Sequence, residues 1–106
     1  MSSPEPHLTP AVIGGLDVDR IAAAVQACPL VAGLHPGAHG AVATLLPGRR
    51  VPGIRVHEAE GRAVGLEIAV TARYGAVLAQ VGDQVRTAVA ALAPGLPAEV
   101  TVADIA

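Results

Sequence analysis

His35 and His39 stand four residues apart in His-Pro-Gly-Ala-His. On a helix that spacing would turn two imidazoles to one face, where they could hold a divalent metal ion. Pro36 and Gly37 lie between them and make a loop the expected setting, and no third ligand is close in sequence. His57 and Glu58 could approach in space, so a small metal- or ligand-binding domain using His35, His39 and His57 stands as an alternative functional reading. The plainer reading is solvated histidines. Cys28 is the only cysteine. It falls on an apolar stripe with Ile21 and Val25, near a helix C-terminus whose dipole disfavours a thiolate, so a buried hydrophobe is expected rather than a nucleophile. Ser2 and Ser3 are the only serines, which removes a serine triad. Glu58 and Glu60 flank a turn and are expected in solvent rather than as an acid–base pair. Gly14 to Asp17 and Pro47 to Arg50 have the outline of phosphate loops but lack a Walker-type Gly-Lys-Ser/Thr. The expectation is a protein with no catalytic residues, no cofactor and no resident metal.

The remaining polar candidates suit contact rather than chemistry. Arg49 and Arg50 are adjacent at a tight turn, where two cations are hard to bury. They would keep a hairpin tip soluble, or touch an acidic partner or anionic lipid headgroups. Tyr74 is the one aromatic residue of the chain. Placed where a strand meets a helix, its ring is expected to cover the core edge while its hydroxyl reaches water; partner contact is the other role. Arg73 beside it should point outward from the strand as a surface contact.

The elements that position these residues follow from periodicity. Residues 1–15, with Pro4, Pro6 and Pro10 and closed by Gly14-Gly15, read as a disordered or extended tail. A helix begins at an Asp cap, Asp17 or Asp19, with Ile21, Val25 and Cys28 inward, and Pro29 ends it near Ala27. Residues 31–40 read as a loop or short extended piece. Residues 41–46 form a strand before a Pro47-Gly48 turn, and Val51, Ile54 and Val56 lie in a second strand bent at Pro52-Gly53. From Arg62 the apolar positions Val64, Leu66, Ile68 and Val70 alternate with Gly65, Glu67, Ala69 and Thr71, a strand with one face on the core. The period then becomes helical, with a stripe of Val77 or Leu78, Val81, Val85, Ala88 or Val89, and Leu92. Pro94-Gly95 stops that helix, and residues 98–105 alternate again. The order α-β-β-β-α-β predicts an α+β fold, two helices packed on one face of a mostly antiparallel sheet.

A chain of 106 residues is one domain on length, here residues 16–106 behind the tail. Its 52% apolar content comes from aliphatic residues, with no Phe and no Trp, so the core must be built from small close contacts. All seven basic residues are Arg and the net charge is -2, which argues against binding nucleic acid by phosphate neutralisation. The missing aromatics also remove base-stacking platforms. A single cysteine and an N-terminus without basic and apolar signal regions point to the cytoplasm. No apolar run approaches the length of a membrane span.

Several of these segments together resemble a known group. An alternating strand ending in Ala-Arg-Tyr-Gly (72–75), a helix with Val81 and Val85, Val-Thr-Val at 100–102 and a terminal Asp-Ile are similar to the alkaline shock protein family of the bacterial envelope stress response. Pro-Leu-Val-Ala-Gly-Leu (29–34) is similar to that family's turn after the first helix, and residues 46–56 resemble its short actinobacterial versions. The resemblance covers about residues 16–105. It implies a non-enzymatic interaction or scaffold module, cytoplasmic and peripheral to the inner face of the plasma membrane. It also implies association with itself and with a small membrane-anchored protein.

Overall fold

The computed structural model describes residues 11–106. Two very short strands, β1 (Val12–Ile13) and β2 (Leu16–Asp17), pair antiparallel around Gly14-Gly15. Residues 11–15 are therefore ordered, with Ala11 in the core and its carbonyl accepting from Val18, and not a tail as expected. The part of the expected tail over residues 1–10 lies outside the described residues.

Helix α1 (Val18–Gln26) starts where Asp17, in extended backbone, accepts a hydrogen bond from the Arg20 amide at 3.1 Å. That is the N-cap bond which satisfies one of a helix's orphan donors. Val18, Ile21, Ala22 and Val25 recur at three- and four-residue spacing and are buried. Pro29, lacking an amide, follows the last turn. Strand β3 (Val31–Leu34) comes next; the segment expected as a loop or short extended piece is a sheet member. A 3-10 turn spans Ala38–Gly40. Strands β4 (Ala43–Leu46) and β5 (Arg49–Pro52) form a separate hairpin, followed by β6 (Ile54–Ala59) and β7 (Arg62–Ala72). Helix α2 (Leu78–Ala90) leads to β8 (Ala98–Ile105).

The central strand is β7. Leu66, Ile68, Val70 and Ala72 face one core that also takes Val18, Ile21 and Val25 of α1 and Val81, Val85 and Val89 of α2. Both helices thus cover one face of the sheet, and the protein is an α+β domain. One edge of β7 is shared end to end, by β6 over its first half and β3 over its last three residues, both antiparallel. The other edge carries β8, parallel, reached through the α2 crossover.

Gly53 is the joint that permits the shared edge. Its amide donates to the Val42 carbonyl at 2.7 Å and its carbonyl accepts from the Ala69 amide at 2.9 Å. Its φ of +84° is in the left-handed region, and a Cβ there would lie 2.8 Å from the Leu34 Cβ and 2.9 Å from the Ala69 carbonyl oxygen. Only glycine fits where β3 ends against the start of β6. The segment read as one bent strand is for that reason two strands in two sheets. Buried Thr44 ties the sheets together, its hydroxyl donating to the Ile54 carbonyl at 2.6 Å.

Candidate functional site: an apolar end and an open sheet edge

The sheet ends at Ala72, fully buried, and two residues later Tyr74 is 87% exposed. Its backbone is fixed, because the Tyr74 amide donates to the Ala106 carbonyl and the Ala106 amide to the Ala72 carbonyl at 2.9 Å. The ring therefore does not cover the core edge as expected. The chain leaves the sheet at Arg73 and turns at Tyr74-Gly75 toward α2. Val77, Leu78 and Ile105 are also about half exposed or more, and they share this end of the molecule. Val77 and Leu78, one of which was expected on the inner stripe of α2, lie before its first buried turn; the stripe is Val81, Gly82, Val85 and Val89. Ile105 pairs beside Ala72 at the end of β8.

These three aliphatic contributors escaped the sequence reading. One signal was present: Val77 occupies the N-cap of α2, with φ -74° and ψ 118° and no side-chain hydrogen bond. Helices favour Ser, Thr, Asp or Asn there, and an aliphatic N-cap leaves amides without a side-chain acceptor. Arg73 is exposed at the same end, as expected, but its Nε donates to the Pro29 carbonyl at 2.9 Å, clasping the turn after α1.

Arg49 is not a free charge at the hairpin tip. Both its terminal nitrogens donate to the two carboxylate oxygens of Asp19, at 2.9 and 2.8 Å. The reason is local: β5 lies against α1, and Asp19 is in the first turn of that helix. The guanidinium holds the Asp19 carboxyl below the usual carboxylate range, chiefly by hydrogen bonding, with burial opposing. Arg50 is exposed and reaches the Gly40 carbonyl at 3.2 Å.

His35, His39 and His57 share no partner. His35 Nδ1 accepts from the Gly37 amide at 2.9 Å, His39 sits in the left-handed region at φ 56°, and His57 Nε2 lies 3.5 Å from Glu67 Oε1 on β7. His57 is a strand residue on β6. Among the described residues no group of three or more His, Cys, Asp or Glu is placed to hold a metal ion. Cys28 is buried at the floor of a groove of about 640 Å³ between α1 and α2, lined also by Ala24, Gln84 and Ala88. Its thiol donates toward the Ala24 and Gln84 carbonyls, and burial pushes its pKa up, away from thiolate chemistry.

The face of the sheet opposite the helices is polar, with Arg55, Glu67 and Glu99 abreast across β6, β7 and β8. Beyond β8 there is no further strand among the described residues, so its outer edge is open. No described helix is long and apolar enough to cross a membrane. No family model matches this chain, and no curated protein or solved structure does.

Proposed function

We propose that this chain is an interaction module of the alkaline shock type, acting without catalysis in the envelope stress response. In this reading it is a cytoplasmic protein held at the inner face of the plasma membrane by a small membrane-anchored protein. The observation that carries the reading is Tyr74: the only aromatic of the chain stands in solvent, at the end of the sheet where Val77, Leu78 and Ile105 are exposed too. A tyrosine offers large, rigid, amphipathic contact area and is over-represented among residues that dominate binding. The same residue belongs to the Ala-Arg-Tyr-Gly segment on which the family resemblance rests. A net charge of -2 disfavours adsorption to anionic lipid, so a protein partner is the anchor proposed.

The test is membrane fractionation with cross-linking in cells, comparing the wild-type chain with Tyr74→Ala. The wild type is expected in the membrane fraction, cross-linked to a small integral protein. Tyr74→Ala should weaken that association by about 2 kcal/mol, roughly thirtyfold, without unfolding the domain. An evenly cytosolic wild type with no membrane-protein partner would sink the reading.

A further inference from the structure

The open edge of β8 is short, defined and self-complementary. Leu66 donates to the Pro97 carbonyl at 2.9 Å, which sets the phase of the parallel ladder between β7 and β8. In that phase Glu99 and Thr101 turn their backbone groups toward β7, while Ala98, Val100 and Val102 turn theirs outward. At the far end the phase has changed, because Ala106 rather than an odd-numbered residue donates to Ala72. The change is the bulge recorded between Val70 and Thr71 opposite Val102 and Asp104. After it the Ile105 amide faces outward, and the Asp104 carboxylate accepts from it at 2.8 Å. At the other end the strand begins at Ala98, after Pro97, whose carbonyl faces β7. A bulge and a side-chain cap are devices by which proteins stop strand addition. Here they close the edge beyond Val102, and because the strand begins at Ala98 the open window is Ala98 to Val102.

We infer that two copies of this chain join through this window, β8 to β8 antiparallel about a two-fold axis at Val100, making one continuous sheet. The register follows from the window. With Val100 opposite Val100 of the second copy, Ala98 opposes Val102 on both sides, and all outward amides and carbonyls of the window pair. A register shifted by two residues toward the C-terminus would centre on Thr101 and run Ala98 into the bulge at Asp104. Charge agrees with the Val100 centre. The one ionic residue inside the window, Glu99, meets Thr101 of the second copy and no like charge. On the helix side, half-buried Val100 and Val102 gain aliphatic neighbours. The inference stands on the open edge of β8 and does not involve the Tyr74 end.

Sedimentation equilibrium on the full chain tests it, because Thr101 is exposed and its substitution leaves the monomer's core untouched. The wild type is expected to be a concentration-dependent dimer. Thr101→Glu puts two carboxylate pairs face to face in each dimer and should weaken it roughly tenfold. Thr101→Lys, opposite Glu99 of the second copy, should tighten it, and Glu99→Lys combined with Thr101→Glu should restore dimerisation. In a Cys28→Ala background, Val100→Cys should form an intermolecular disulfide, since hydrogen-bonded antiparallel partners have Cα atoms about 5.5 Å apart. A monomer at millimolar concentration would overturn the inference, as would a dimer indifferent to charge at position 101. Either result leaves the Tyr74 test of membrane recruitment standing, and a cytosolic but charge-sensitive dimer would remove only the membrane reading.

Discussion

Replacing Val77 with Thr should make this protein more stable, although Val77 is part of the surface proposed to bind a partner. The backbone at position 77 already has N-cap geometry, φ -74° and ψ 118°, close to the φ -83° and ψ 101° of Asp17, which caps α1. Only the acceptor is missing. Three residues on stands Gln80, whose amide already donates to the Val77 carbonyl at 2.9 Å, so a Thr hydroxyl would accept from the Ala79 amide while the Gln80 side chain reaches back to the amide of residue 77. A good N-cap contributes about 1 kcal/mol. Against it stands the loss of one methyl, worth about 0.8 kcal/mol if fully buried. Val77 is 58% exposed, so the loss is nearer about 0.3 kcal/mol by the same area scaling. The net gain is about 0.7 kcal/mol, or a rise in Tm of about 3–5 °C for a domain of this size. Val77→Asp adds an anion at the positive end of the helix dipole and should gain slightly more.

Thermal and urea unfolding followed by circular dichroism check the stability arm. Membrane fractionation checks the other, where Val77→Asp, a charge set beside Tyr74, should release the protein while raising its Tm. An unchanged or lower midpoint for Val77→Thr would refute the reading of α2 as an uncapped helix. A stabilised Val77→Asp that stays on the membrane would refute the use of this end for docking. Natural proteins commonly keep such destabilising residues where function needs them.

Gly53→Ala should destabilise the fold by about 3 kcal/mol in urea unfolding, through left-handed strain plus the clash with Leu34 and Ala69. Gly48→Ala, at φ +76° with open space around it, should cost only about 1 kcal/mol. Asp19 has a folded pKa below its unfolded value, so its ion pair contributes fully above the unfolded pKa of about 3.9 and is lost as pH falls through the folded value. Asp19→Asn should therefore lower the urea midpoint at neutral pH and flatten its decline in acid; an unaltered acid profile would count against the pair. The Cys28 thiol should react with a disulfide reagent on the order of a hundredfold slower in the native protein than in urea, and a fast native reaction would contradict its burial.

The long elements were legible because each repeats one period over several turns or pleats. β7 buries Leu66, Ile68, Val70 and Ala72 in alternation, although Ala69, expected outward, is buried as well, and Val81, Val85 and Val89 mark α2. The shortest were not, apart from β4, which falls within the strand expected over residues 41–46. Val-Ala-Gly-Leu in β3 has two small residues and no alternation, and it is a strand because the end of β7 beyond Gly53 has a vacant edge to fill. The hairpin of β1 and β2 is four residues in two strands, too few for any period to register. Val64, assigned inward by alternation, is 50% exposed in the overhanging start of β7. Arg49 shows the same limit for charge: adjacent arginines at a turn read as solvated, and only the packing of β5 on α1 brings Asp19 within reach.

The two surfaces have a geometric relation that bears on how such a module would work. Antiparallel pairing about a two-fold axis points the C-terminal ends of the two β8 strands in opposite directions. The Tyr74 end lies at the C-terminal end of β7 and β8, which run parallel, so joining through β8 sends the two apolar ends away from each other. The Asp104 cap and the bulge keep the paired window clear of Ile105, so neither end is consumed by the joint. A dimer of this kind is a two-headed linker rather than a single clasp. It would bring two membrane-anchored partners into one assembly, and holding one raises the local concentration of the other. Weakening the joint at Thr101 would then lower membrane retention without altering any residue that touches the partner, because two weak contacts would become one.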